Sequence, residues 1–413
     1  MFQQKPEYFK NKHNKEKLTE SQVVARIENL DRIIDEKDAL LAKMHPFIIE
    51  LMETRHAEEE LPYTVLDDDK PIADQLYDEP TYNDRFIHGV DKDGKGGDLD
   101  ARRGEELRFA ENYQEGQYTK VILKAAQALG FIAPEVPSVP TDPIDAQLGI
   151  VDSYLEPIEE PVEAVIIPTA RSISNPMRVR DALRNIENGK IKTNKIIIAS
   201  CDREVDDEER AKMDPLGLHY GATEFESGIA SFNDFAGTEI DPKDATPLFI
   251  EVGGIIREGK QLICKVELPS GTVEFIAVSV PFDEDRQIGL NKDGTPKMAN
   301  RANTQENMLA AYEFLSEKSG LIAMESHDVW AQSQAEAADQ VLGAKGKRMI
   351  PTGAFKMDRL TRNKHGKLVL NKPGEVVDEI AKVYAFATQT RITALNARQT
   401  LVEELDKRTS SEN

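Results

Sequence analysis

Cysteine is nearly absent: Cys201 and Cys264 are the only two in 413 residues. They are too few and too far apart for a disulfide framework or a thiolate metal site, as expected in a reducing compartment. Basic residues are also in short supply, 52 against 74 acidic ones, and a net charge of −22 repels phosphate backbones and anionic lipid. Nucleic acid and membrane are therefore not expected as partners. No window offers the roughly 18 uncharged apolar residues of a membrane span, and the Lys- and His-studded start, Met1 to Leu18, has no apolar run of signal-peptide length. A soluble, cytoplasmic protein is the expectation. Metal is not expected either. Glu251, Asp283, Glu284 and Asp285 have no His at ligand spacing, and the run Asp91 to Asp100 puts Lys95 and Arg102 where a calcium loop needs oxygen ligands. That run reads as a solvated, Gly-rich turn.

What is present is a globular composition, 39% hydrophobic and 31% charged, in a chain long enough for one sizeable domain with additions or for two domains. Val23, Ile27, Leu30, Ile34, Leu41 and Met44 recur near a 3.5-residue period, which predicts a helix over 19–55 that Pro46 breaks or kinks. Its apolar side either packs on its own domain or makes a coiled-coil contact that lets the chain self-associate. This amphipathic helix dominates a first region, 1–60. An acidic linker follows over 61–161, holding a short helix at 118–130 and a Pro-rich connector with Pro134, Pro137, Pro140 and Pro143.

From 162 to 352 the pattern is α/β. Ala164-Val165-Ile166-Ile167 is a continuously apolar, β-branched run, as a strand buried on both faces of a parallel sheet requires, and Lys195-Ile196-Ile197-Ile198-Ala199-Ser200 reads as a second buried strand. A helix from Pro176 to Asn188 joins them, and a short acidic helix, Asp206 to Met213, follows. The alternation then pauses for an antiparallel hairpin insertion, 247–282, with turns read at Arg257 to Lys260 and Pro269 to Gly271. Beyond it come a helix at 304–316, a strand at Leu321 to Glu325, a helix at 329–342 and a last short strand, Arg348 to Pro351. A region over 353–413 carries a long helix, 376–405, and a frayed tail. The expected fold is a Rossmann-like parallel sheet with an antiparallel hairpin insertion and added amino- and carboxyl-terminal helices; the hairpins are expected to project from the sheet.

In such a fold, ligands sit where strand carboxyl ends meet helix amino ends, because exposed N–H groups and the helix dipole favour anions there. Three segments converge on that edge. The first, Pro168 to Asn175, offers Thr169, Arg171 and Ser172, hydroxyls and a guanidinium suited to phosphate or carboxylate. The second is Ser200-Cys201-Asp202-Arg203, with Glu208 shortly after. The third joins Asn303-Thr304-Gln305-Glu306-Asn307 to Ser326-His327-Asp328. Each has a structural alternative: Asn303 with Glu306 fits a capping box, His327 fits a satisfied strand-end residue as well as a base, and Cys201 fits a small buried thiol.

Together these segments resemble a bacterial domain-of-unknown-function family, the one containing SanA and YdcF. The matching elements are Arg178 with Ala182, the strand at 195–200, Glu208, the complete Asn303-Thr304-Gln305-Glu306-Asn307, and His327 with Ala331. The departures are Pro168-Thr169-Ala170 and Ser200-Cys201, where members carry glycines, and Trp330, where they carry an Arg. The resemblance covers about 162–350 and implies a Rossmann-like domain that binds S-adenosylmethionine or a nucleotide in at least some members, with no settled reaction. It adds Arg178 to the ligand-binding candidates and assigns His327 and Glu208 as the catalytic ones. The expected function is thus the binding of an anionic small molecule, with weak enzymatic activity as an extension; the alternatives are a ligand-sensing module and a structural protein.

Overall fold

The computed structural model describes residues 19–59, 117–151, 156–169, 174–252, 255–281, 287–290, 295–298, 302, 304–316 and 318–411. The chain begins with helices α1 (Glu20–Glu59), α2 (Gln117–Leu129) and α3 (Pro143–Leu148), then β1 (Ile150–Val151), β2 (Ala164–Pro168), α4 (Asn175–Glu187) and β3 (Lys195–Cys201). Next come α5 (Asp207–Met213), α6 (Glu224–Ala236), β4 (Thr246–Val252), β5 (Ile255–Leu268), β6 (Gly271–Val280), β7 (Gln287–Leu290) and β8 (Pro296–Met298). The last elements are α7 (Thr304–Tyr312), β9 (Gly320–His327), α8 (Trp330–Leu342), β10 (Lys347–Lys356), β11 (Leu360–Arg362), β12 (Leu368–Leu370) and α9 (Pro373–Ser411).

Eight strands form one sheet in the order β1-β10-β9-β2-β3-β6-β5-β4. The middle five are mutually parallel; β1 on one side and β5 on the other pair antiparallel with them, and β4 pairs antiparallel with β5 and so runs in the direction of the five. The expected mixed α/β fold is the observed one. Period-two alternation sorts each buried strand between two cores. Val165, Ile167, Ile196, Ile198, Phe275 and Ala323 face α4 and α6. Ile166, Ile197, Ala199, Ile276, Ile322 and Met324 face α7 and α8. A third layer lies outside α8, where α1, α2 and α9 bury Met44, Ile48, Ile122, Val376 and Tyr384 together. The apolar side of α1 is thus taken up within the chain.

Four differences from the expected elements have physical causes. Helix α1 runs through Pro46 without a break, because Leu41, Met44, Ile48 and Leu51 on either side are all buried in the same core. The segment Arg257 to Lys260 is not a turn: β5 passes straight through it. Gly259 is glycine because a Cβ there would stand 2.1 Å from the Ser279 carbonyl oxygen, so it marks close backbone approach within the sheet. The hairpins therefore do not project; β6 pairs in parallel with β3, and β5 and β4 extend the same sheet. Finally, α9 stays helical through Ser411, where fraying was expected, helped by an ion pair of Arg408 with Glu404 one turn earlier. The Asp91–Asp100 run lies outside the described residues.

Candidate functional site

The register of the parallel strands places four polar residues in one row at the carboxyl edge. Ser200 lies opposite Ser279, and the Thr169 N–H donates to the Ala199 carbonyl at 2.8 Å, which sets Thr169 beside Ser200. The pairing of Ile166 with Met324, carried three residues on, brings Thr169 level with His327. All four alternate onto the α4/α6 side, and all are buried. Ser200 Oγ donates to the Val278 carbonyl at 2.8 Å. Thr169 Oγ1 and Ser279 Oγ have no hydrogen-bond partner among the described residues. Helix α6 can lie this close because Gly228 has no Cβ; one there would meet Ile198 Cγ2 at 2.9 Å.

His327 ends the row and is the centre of its electrostatics. Its Nδ1 accepts from Arg178 Nε at 3.1 Å, while Arg178 Nη1 donates to the Pro168 carbonyl. A guanidinium cannot accept, so the imidazole proton must sit on Nε2, which makes that nitrogen a donor. Burial holds the ring well below the ordinary histidine range, and the charges of Arg178, Lys356 and Arg359 push it the same way. His327 is therefore a neutral donor rather than a proton acceptor. Directly after it, Asp328 takes a left-handed backbone, φ 54°, and this turn brings the Trp330 ring to 5.1 Å from the imidazole. Lys356 Nζ stands 4.9 Å above the Trp330 ring and the Arg359 guanidinium 5.6 Å. Arg359 is bound to Asp328 and Glu375. Burial lowers the pKa of Lys356, which makes no ion pair among the described residues.

The other sequence candidates divide into three groups. Cys201 donates to Glu224 Oε2 at 3.1 Å, and burial together with that carboxylate pushes its thiol up to about 12. The group is thus no nucleophile at neutral pH. Arg203 bonds Glu224 at 2.8 Å and both oxygens of Glu209. Glu208 is the correction: it lies on the exposed side of α5, bonded to Lys212 at 2.5 Å. The inward acid of that helix is Glu209, which closes a capping box with Asp206. Ser326, one residue before His327, alternates onto the opposite face toward α7 and α8, where Glu306 and Asn307 are also buried. Thr304, half-buried, opens α7. Arg171, Ser172 and Asn303 lie outside the described residues. The fold thus brings Thr169, Arg178, Ser200 and His327 to one side of the sheet and Ser326, Glu306 and Asn307 to the other.

Sequence reasoning missed Glu224, Lys356 and Arg359. Glu224 was readable, since Thr223 caps α6, and Phe225, Ile229 and Phe232 mark its buried side. Lys356 was not, because β10 continues five residues beyond Pro351 into a stretch with no sustained apolar alternation. Among the described residues there is no group of three His, Cys, Asp or Glu side chains placed to hold a metal ion, and no helix long and apolar enough to cross a membrane. No family model, curated protein or solved structure matches the chain.

Proposed function

We propose that the protein binds an anionic small molecule, a nucleotide, sugar phosphate or S-adenosylmethionine-like compound, at the carboxyl edge beside His327. The observation that carries this reading is the convergence of Arg178, Lys356 and Arg359 on a neutral imidazole in a chain of net charge −22. At short range such a group of cations overrides the global repulsion, which salt screens beyond about 8–10 Å. The Nε2–H of His327 and the Thr169 hydroxyl supply directional donors, and Lys356 supplies charge. The geometry favours binding over turnover, because His327 Nδ1 is occupied by Arg178, Cys201 is held protonated and Glu208 faces solvent. A cytoplasmic ligand-sensing role, and kinship with the SanA and YdcF family, belong to the same proposal. In that kinship, Lys356 and Arg359 over Trp330 stand in for the Arg that follows the family's His.

Calorimetry against nucleotides, sugar phosphates and S-adenosylmethionine tests it. Lys356→Ala should weaken binding by about 1.5–3 kcal/mol, roughly tenfold or more, with little loss of stability. Equal affinity of variant and wild type, or no binding by either, overturns the reading.

A further inference from the structure

The hairpin β11–β12 reverses the charge of the chain. Residues 356–372 hold six basic side chains, Lys356, Arg359, Arg362, Lys364, Lys367 and Lys372, against one acid, Asp358, in a protein of net charge −22. Three of the six are committed near the root. Arg359 is bound to Asp328 and Glu375, Lys372 pairs with Glu375 at 3.2 Å, and Lys356 lies over Trp330. The other three, Arg362, Lys364 and Lys367, are exposed and have no acid partner among the described residues.

The tip holds these cations on a fixed support. The Asn363 N–H donates to the Lys367 carbonyl at 2.9 Å, and the Gly366 N–H donates to the Asn363 carbonyl at 2.9 Å. Asn363 Oδ1 accepts from the His365 and Lys367 N–H groups at 2.9 and 3.1 Å. Arg362 Nη1 donates to the Gly366 carbonyl at 2.9 Å, and Gly366 takes the left-handed backbone that the turn requires, φ 74°. The root is equally fixed, since Leu360 and Leu370 pair across the ladder and are both buried. A tip with its backbone groups already paired loses little conformational freedom on binding. From Leu360 to Lys364 the strand reaches up to about 13 Å at 3.3 Å per residue. That exceeds the screening length of roughly 8 Å at physiological salt, so the tip escapes much of the acidic field of the body.

We infer that this finger is a docking surface for a partner protein and takes an extended acidic segment of that partner. Charge complementarity selects an anion, and the other anionic surfaces need features that the finger lacks. A nucleic-acid duplex or a membrane spreads its charge over an area wider than the finger, so the acidic body would be drawn against it. A single nucleic-acid strand is held by stacking on aromatic rings. The hairpin has no Phe, Tyr or Trp between Lys356 and Lys372, and the nearby Trp330 already faces Lys356 and Arg359. A run of Asp and Glu asks only for point charges on a narrow support, which lysine ammonium groups supply. The inference does not rest on the ligand reading of the edge, because no tip residue belongs to that site.

Fluorescence anisotropy of a labelled octaglutamate peptide with the full chain, at two salt concentrations, tests it. Wild type should bind the peptide, and more weakly at the higher salt. Lys364→Glu/Lys367→Glu should lose about tenfold or more in affinity, at an unchanged melting temperature because both side chains are exposed. Lys192→Glu/Lys243→Glu makes the same change in net charge at exposed positions away from the hairpin, and its affinity should stay within about twofold of wild type. A labelled oligothymidylate of equal charge and phosphatidylserine vesicles should bind wild type at least about tenfold more weakly than the peptide. A wild type that does not bind the peptide, or equal affinities in the two double variants, overturns the inference. Tighter binding of the oligonucleotide or the vesicles overturns the protein partner in favour of that surface. Self-association in light scattering that only Lys364→Glu/Lys367→Glu abolishes overturns it in favour of a second copy of this chain.

Discussion

Lys37→Met should lower the unfolding free energy by about 3–5 kcal/mol, one of the largest effects expected of any single substitution in this chain. Lys37 sits on α1 with 4% exposure, and its Nζ lies 2.8 Å from Glu336 Oε2 and 2.6 Å from Asp339 Oδ2 on α8. Both acids are almost wholly buried. The triad continues into the sheet, since Asp339 Oδ1 accepts from the Met349 N–H of β10 at 2.8 Å. Removing the ammonium leaves two uncompensated carboxyl groups in the interior, and that penalty, rather than the worth of the pair itself, sets the size of the loss. Burial already raises Asp339 to about 6, with Lys37 holding it down. The deficit of the variant should therefore shrink as pH falls toward 6, because Asp339, without Lys37 to hold it down, takes up its proton above that value. Adding Glu336→Gln and Asp339→Asn should recover much of it. Urea unfolding at two pH values measures all three. A deficit under about 1 kcal/mol would mean that solvent reaches the triad in solution.

Arg178→Ala should cost on the order of 3 kcal/mol of stability, because two buried acceptors lose charge-assisted bonds at once. Those acceptors are His327 Nδ1 and the Pro168 carbonyl. A second consequence separates this variant from an ordinary destabilising one. Without a guanidinium on Nδ1 the imidazole is free to exchange tautomers, so its Nε2–H is no longer a fixed donor at the edge. Arg178→Lys restores a charge but not the planar fork that reaches both acceptors, so it should recover part of the stability and little of the tautomer. Histidine nitrogen spectra, recorded well below the melting temperature of each variant, are the readout. If His327 keeps one tautomer in Arg178→Ala, some other donor fixes it and the role given to Arg178 is wrong.

The parallel strands were legible in the sequence because burial on both faces leaves no polar residue in the run. Ile196, Ile197 and Ile198 are all wholly buried, two toward one helical layer and one toward the other. Strand ends were less legible, since β10 leaves the core near Ala354 and its last residue, Lys356, belongs to the edge instead. Gly259 misled for a definite reason: Glu-Gly-Lys looks the same whether the glycine turns the chain or admits a neighbouring carbonyl. For the site, proximity to a strand end was readable but facing was not. Ser326 and His327 are adjacent in sequence, and the pleat sends them to opposite sides of the sheet. Glu208 and Glu209 pose the same problem on a helix, where a single residue separates the solvent side from the Arg203 cluster.

The most direct test of the edge as an anion site is a titration of histidine-labelled protein with inorganic phosphate, followed by nitrogen spectra. Three of the labelled rings matter: His327 is buried, and His219 and His365 are exposed. The predicted result is a saturable shift of the His327 Nε2–H that Lys356→Ala weakens by about tenfold. His219 and His365 should move only as salt and pH move them. The contradicting result is a His327 signal that stays fixed at phosphate concentrations that displace His219 or His365.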